Sequence, residues 1–307
     1  MNETNATSAG STSFIFPPTL IAFITLQQII FVVACLGNGL VVYIFVRYLK
    51  FQSNTNKFIV SLAFADFFTG LSTGSQMFYF FYPRMSSNMA ACLLRNQVIE
   101  YMTMTSQLTV FVAAFDRYLA ICHPHKYSNI VTKTRSNITC ILLWVLPSYA
   151  VFGSMSEWIN WHPGIGCSSE VILPRALYGM ASIVVYIFSI ITAILYYLML
   201  KTAWRFHRRI RSVENNDQIQ IKTMTKSIRG AKLTGTITIV FSVCWLPYMA
   251  FRFRSLILSK TKTKLESDIA NWLVFLGIFN SVVNPIVYSW KRPDFNHQCR
   301  KIFCGRR

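Results

Sequence analysis

Seven apolar runs, each long enough to cross about 30 Å of hydrocarbon as a helix, constrain what this 307-residue chain can become. They cover residues 20–46, 58–82, 92–122, 136–156, 176–204, 229–258 and 268–290. Inside hydrocarbon every backbone N–H and C=O needs a partner, so such runs must be helices packed on one another. The expected fold class is therefore an all-α membrane protein, a seven-transmembrane helix bundle. Pro147 and Pro247 interrupt the fourth and sixth runs, which a buried bundle tolerates as kinks. With 53% hydrophobic and 13% charged residues, the chain is too apolar for an ordinary soluble domain.

A formal charge of +19 would suit a nucleic-acid binder, but its placement argues for a membrane. Of 30 Lys and Arg, 22 fall at or near loops on one alternating side. Arg47, Lys50 and Lys57 mark the first such loop, and Lys126, Lys133 and Arg135 the second. Arg205, Arg208, Arg209 and Arg211, then Lys222, Lys226 and Arg229, mark the third. By the positive-inside bias the amino terminus is expected outside and the carboxyl terminus in the cytoplasm, with no nucleic-acid partner.

Residues 1–18 are polar, without a basic segment leading into an apolar core, so the first helix is expected to serve as its own insertion signal. Residues 1–19 read as an extracellular tail with glycosylation sequons at Asn2 and Asn5. A third sequon, at Asn137, falls on the cytoplasmic side and is expected to stay unused. Residues 291–307 follow the bundle of residues 20–290 as a short amphipathic eighth helix on the inner leaflet, with a short tail. Cys299 and Cys304 there are candidates for palmitoylation, with free thiols as the alternative. The eight cysteines form no CxxC pair and the five histidines are scattered, so neither a zinc site nor a membrane enzyme emerges. No internal repeat supports an inverted-repeat transporter.

The chemistry-bearing residues lie at helix ends and mid-membrane. Asp116-Arg117-Tyr118 follows about twenty largely apolar residues and stands before Pro124. A charged pair at the mouth of a membrane helix is costly and usually functional; a snorkelling arginine is the plainer reading. The first run holds Gly37-Asn38, the second Leu62-Ala63-Phe64-Ala65-Asp66, and the fourth Trp144. The sixth holds Phe241 and Cys244-Trp245-Leu246-Pro247. The seventh holds Asn284-Pro285-Ile286-Val287-Tyr288, with Phe295 seven residues on. In order and spacing these motifs resemble those of rhodopsin-like (class A) G-protein-coupled receptors, and the resemblance covers the whole chain.

That resemblance implies a receptor, not an enzyme, in the plasma membrane. Its partners would be an extracellular ligand, a heterotrimeric G protein, arrestin and membrane lipid. Arg117 would meet the G protein when the sixth helix swings outward about Pro247. Asp116, Tyr118, Tyr197, Phe241, Trp245, Asn284, Pro285 and Tyr288 would carry the rearrangement. Cys92, 25 residues before Arg117, and Cys167 match the family's disulfide and both face the oxidising side. Asp66, Ser106, Asn280 and Ser281, with Trp245 and Asn284, resemble the family's allosteric sodium pocket; no cofactor is required. The alternative is a protonated Asp66 hydrogen-bonded to Asn38 and Asn284.

The pattern is also broken in places. Counting back from Tyr197, Ser189 stands where the family places a proline, and Gln107 stands ten residues before Arg117 in place of an aliphatic. Ser227, twenty before Pro247, replaces an acid that would lock Arg117, so high basal activity is expected. His125 replaces a bulky apolar residue that docks into the G protein.

Helical spacing places Ile99, Thr103, Ser106 and Val110 on one face of the third run. Trp245, Tyr248, Met249 and Arg252 share a face of the sixth, with Tyr178 and Ser182 opposite on the fifth. Together they predict a mostly apolar ligand cleft with a few polar groups, with Arg95 and Arg175 near its mouth and Glu100 its one helical acid. Arg252 either pairs with Glu100 or Glu170, or grips an anionic ligand group. Ile99 replaces the aspartate of amine receptors, and Ile278 the lysine of visual pigments. Arg252 replaces the asparagine of adenosine receptors, and Cys92 the acid of melanocortin receptors. A peptide, lipid or other small-molecule ligand is expected in preference to a monoamine or retinal. A transporter or channel is the alternative of a different class.

Overall fold

A computed structural model of the protein describes residues 18–50, 53–153, 167, 175–212, 218–258 and 263–305. Ten α-helices and no strand occur among them. The seven long ones are α1 (Pro18–Ile44, continued by a π-turn over Phe45–Leu49), α2 (Asn54–Phe81), α4 (Met89–Cys122), α6 (Lys133–Phe152), α7 (Arg175–Ser212), α8 (Gln218–Leu258) and α9 (Lys264–Lys291). Each is long and apolar enough to span a bilayer, so the chain is a multi-pass membrane protein. Three short helices complete it: α3 (Pro83–Ser86), α5 (Pro124–Ile130) and α10 (Pro293–Cys304).

The helix starts follow local chemistry. Ser53, Asn88 and Thr132 cap α2, α4 and α6 by accepting hydrogen bonds from backbone N–H groups in the first turn. Thr263 and Glu266 form a reciprocal capping box on α9. Pro124 and Pro293 open α5 and α10, where the missing N–H costs nothing. Helices α7 and α8 run well past the apolar runs, to Ser212 and back to Gln218. Hydropathy cannot mark such extensions, because their polar residues lie outside the hydrocarbon while the backbone stays helical.

Helix α4 is the centre of the bundle, touching α2, α6, α7 and α8, while α9 closes the ring against α1, α2 and α8. The end of α4 that carries Arg117 is called the basic end here, and its Cys92 end the disulfide end. The larger core cluster runs through the basic half: Val41, Phe45, Ile59 and Leu62 pack with Leu233, Phe241 and Tyr288. Phe295, buried to 1% exposure, stacks on Phe45 at 5.9 Å and approaches Tyr288 at 6.4 Å, which docks α10 under α1 and α9. Cys299 packs against this cluster, whereas Cys304 is exposed. Lys57 donates to Asn137 Oδ1 at 2.7 Å, tying α2 to α6 at the basic end. Asn2 and Asn5 lie outside the described residues.

Candidate functional site

Three polar sites line up along the bundle. At the basic end, Arg117 donates from Nε and Nη2 to Asp116 Oδ2 at 3.0 and 2.6 Å. Asp116 is 3% exposed and Arg117 13%. The same carboxylate accepts from Thr55 Oγ1 at 3.2 Å and from Tyr127 Oη at 2.8 Å. Burial, then the Asp116 charge, pushes the Tyr127 phenol up to about 12, so it stays a donor at neutral pH. Arg117 faces a cavity of about 560 Å³ whose rim also carries Ser227, Arg229, Lys291 and Arg292. Arg292 is tied to Asp294 and donates to Asn56 Oδ1 at 3.0 Å, joining the start of α10 to α2. Gly230 backs Arg117, and a Cβ there would come within 3.0 Å of Nη1.

The residues expected to rearrange do not all face this cavity. Tyr118 turns aside, its hydroxyl 3.2 Å from His123 Nε2. Tyr197 is 62% exposed on the outer face of α7, beneath Lys201. The inward place belongs to Tyr196, whose ring packs where Gly235 leaves room and whose hydroxyl lies 3.5 Å from Thr238 Oγ1. Assigning the inward role to Tyr197 is thus corrected by one residue, and the position counted as Ser189 becomes Phe188. Neighbours on a helix point about 100° apart, so only one of two adjacent tyrosines can face the bundle. Tyr288 is fully buried, with no hydrogen-bond partner for its hydroxyl among the described residues. It borders a void of about 10 Å³ between Thr109 and Thr234. Thr55, Tyr127 and Tyr196 were not singled out in the sequence; only their spatial proximity to Asp116 or to the α7–α8 contact marks them.

Mid-bundle, Asp66 is 1% exposed. Ser281 Oγ donates to its Oδ1 at 2.9 Å and Asn284 Nδ2 to its Oδ2 at 2.6 Å. Asn38, one expected partner of a protonated Asp66, instead donates to the backbone oxygens of Ala34 and Ser281 at 2.9 and 2.8 Å. The amide oxygens of Asn38, Asn280 and Asn284 are buried without a donor among the described residues. Unused hard oxygens around a carboxylate suit a small hard cation such as sodium. Ser106 is buried on α4, 3% exposed, and is not among the described hydrogen-bond donors to Asp66, which are Ser281 and Asn284. One layer further, Trp245 contacts Phe241 and Tyr248 at ring-centroid distances of 6.4 and 6.3 Å. Gly277 admits its ring, since a Cβ there would sit 2.7 Å from it. Pro247, two residues on, is exposed on the outer face of an unbroken helix.

Toward the disulfide end lies a cavity of about 100 Å³. Of the two helix faces, Ile99, Thr103, Trp245, Tyr248, Met249 and Arg252 line it, together with Glu100, Asn96, Met104, Val185 and Val274; Ser106 and Val110 do not, and Val110 borders the small void beside Tyr288 instead. Arg252 Nη1 donates to Glu100 Oε1 at 2.8 Å and Oε2 at 3.1 Å. Of the two readings for Arg252, pairing with Glu100 is the arrangement found. Arg95 points elsewhere, donating to Gln76 Oε1 at 2.5 Å and lying 5.0 Å from the Tyr79 ring. Ser182 is fully buried on α7 without lining the cavity. The side chains of Arg175 and Tyr178, and Glu170, lie outside the described residues. The Cys92–Cys167 disulfide is formed, with Cα atoms 5.7 Å apart. Asn96 Nδ2 lies 3.7 and 3.6 Å from its two sulfurs, linking the bridge to the cavity wall.

Comparison with known proteins fits this arrangement. Residues 37–288 match the family described as 7 transmembrane receptor (rhodopsin family). Adenosine receptor A2b of Rattus norvegicus is 28% identical over 314 residues, covering 91% of this chain and 89% of the relative. Adenosine receptor A2b of Homo sapiens is 27% identical over 311 residues, with coverage of 91% and 89%. Arg252 differs from the asparagine of adenosine receptors at one pocket position, while over 91% of its length the chain is similar to these two receptors.

Proposed function

The chain belongs to the rhodopsin family of seven-transmembrane receptors, and from that membership we propose that it binds an extracellular ligand and activates a heterotrimeric G protein. It is a receptor rather than an enzyme. The observation that carries the signalling half is Arg117, held among the described residues by Asp116 at the wall of the large basic-end cavity. The basic end then faces the cytoplasm at the plasma membrane, in keeping with the positive-inside bias, and the disulfide end faces outward. Arg229, Lys291 and Arg292 suit an acidic partner surface or anionic lipid; arrestin is a second partner for the same face. Likeness to adenosine receptors favours a small molecule over a peptide or lipid.

Activation is a population shift: a ligand that binds one arrangement of α8 better moves the equilibrium by its differential affinity. Trp245 and Pro247 place the hinge of α8 between the ligand cavity and Arg117. Tyr196 and Tyr288 are the inward phenols that would meet Arg117 in the open state. Ser227 offers no charge to hold α8 against Arg117, so basal activity should be appreciable. In membranes with a co-expressed G protein, we expect ligand-independent guanine-nucleotide exchange above mock-transfected cells, abolished in Arg117→Ala. Ion flux with no nucleotide exchange would instead favour a channel or transporter.

Asp66, with Ser281, Asn280 and Asn284, would hold a sodium ion, which would neutralise the buried carboxylate and favour the less active arrangement. If so, linkage requires agonist affinity to fall as sodium rises. Asp66→Asn should flatten that dependence, and should also remove any sodium-dependent rise in the thermal stability of the purified receptor. A sodium response identical to wild type would remove the ion from this site.

A further inference from the structure

The wall of the basic-end cavity pairs a surplus of positive charge with a hydroxyl that can be modified. Its described lining includes four cations, Arg117, Arg229, Lys291 and Arg292, against one acid, Asp294, which is already tied to Arg292. Four side-chain hydroxyls line it as well. Ser53 caps α2, and Thr55 and Tyr127 donate to Asp116. The fourth is Ser227 of α8, half-buried on the cavity wall.

Helix geometry sets Ser227 close to Arg117. Gly230, three residues on, shares its face of α8, and a Cβ at Gly230 would sit 3.0 Å from Arg117 Nη1. The guanidinium therefore lies about one helical turn from the serine. In sequence Lys222 and Lys226 precede Ser227 and Arg229 follows it, a charge pattern suited to the acidic substrate groove of a basophilic kinase. Ser227 is also the first residue of the membrane-spanning stretch of α8, so the polar turns before it reach water, where local opening costs little. We propose that Ser227 is a phosphorylation site whose phosphate pairs with Arg117 and holds α8 against α4. A cytoplasmic serine/threonine kinase supplies the phosphoryl group from Mg–ATP. The serine oxygen bonds the γ-phosphorus, the bond to the β–γ bridging oxygen breaks, ADP leaves, and the hydroxyl proton passes to the base of the kinase. The product brings about two negative charges at neutral pH into the cationic cavity. Arg117 is largely buried and gains more from them than Arg229, which is exposed and solvated. Its five donors serve Asp116 and the phosphate together. Opening the cavity for a G protein then breaks a charge-assisted pair, so the modification lowers basal activity. This inference rests on the reading of the cavity as the signalling site.

The test uses the full-length receptor in lipid nanodiscs. It is treated with Mg–ATP and the catalytic domains of cyclic-AMP-dependent kinase and protein kinase C, then with phosphatase. Fragment mass spectrometry should place phosphate on Ser227. Ligand-independent nucleotide exchange on added G protein should fall about tenfold, the scale of one charge-assisted bond, and recover with phosphatase. Exchange by Ser227→Ala should not respond to the kinases. Thermal unfolding supplies a readout that needs no G protein: phosphorylation should raise the melting temperature of the wild type and leave that of Arg117→Gln unmoved.

Absence of phosphate from Ser227, or phosphate there that leaves the melting temperature unchanged, overturns the proposal. So does a rise that persists in Arg117→Gln, because the phosphate then pairs elsewhere. The two readouts separate this inference from the signalling reading. An Arg117-dependent rise with no exchange in any form leaves the phosphate–Arg117 pair standing and overturns signalling; strong exchange that ignores the phosphate does the reverse.

Discussion

Cys92→Ala should remove most of the receptor from the cell surface and abolish ligand response in what remains. The bridge closes a separation of 75 residues, for which chain entropy alone allows about 4.5 kcal/mol. That figure is a ceiling, because α6 lies within the closed segment and is already restrained by the membrane. Even half of it is a large share of the margin by which a protein stays folded. The bridge also acts locally: Asn96, in contact with both sulfurs, is one wall of the disulfide-end cavity. Surface labelling of an amino-terminal epitope, with and without permeabilisation, reads the loss. Cys92→Ala/Cys167→Ala should be no worse than either single change, since all three break the same bond. Full surface expression with an undiminished response would show that the loop is held by other contacts.

Asp116→Asn should raise ligand-independent nucleotide exchange about tenfold. The carboxylate collects two hydrogen bonds from Arg117 and one each from Thr55 and Tyr127. A charge-assisted bond contributes about 1.5–3 kcal/mol net, and tenfold corresponds to about 1.4 kcal/mol, so losing the ion pair suffices. An amide keeps one acceptor but turns an N–H toward the guanidinium, and with Ser227 opposite, no acid on α8 can take Arg117 back. Tyr127→Phe removes a single neutral donor and should raise exchange only about fivefold, the net value of about 1 kcal/mol for one hydrogen bond. Basal exchange in Asp116→Asn no higher than wild type, at matched surface level, would mean that Asp116 does not restrain Arg117.

The pairing of Glu100 with Arg252 changes how the outer pocket is understood. Spacing alone left Arg252 divided between an internal partner and an anionic ligand. In the folded protein Arg252 is paired with Glu100 at 2.8 Å. Arg95 is a different matter, because its polar partner among the described residues is the neutral Gln76. It faces α2 rather than the cavity, so it contributes little to ligand choice from this geometry.

Much of this protein is determined by its sequence because the physics involved is local or one-dimensional. A run of about twenty apolar residues must become a helix in hydrocarbon whatever surrounds it, and the sequence holds seven such runs. The faces of α4 and α8 follow from 3.6-residue periodicity, which placed Ile99, Thr103, Tyr248, Met249 and Arg252 on one cavity. What tertiary structure alone decided concerns partners far apart in the chain and choices between neighbours of equal polarity. Asp116 meets Thr55 across 61 residues and Glu100 meets Arg252 across 152, and no periodicity links such pairs. Tyr196 and Tyr197 are chemically identical and adjacent within an apolar stretch, so hydropathy is silent on which turns inward. The space beside Gly235 settles it, because one ring fits there and the other is left to face lipid.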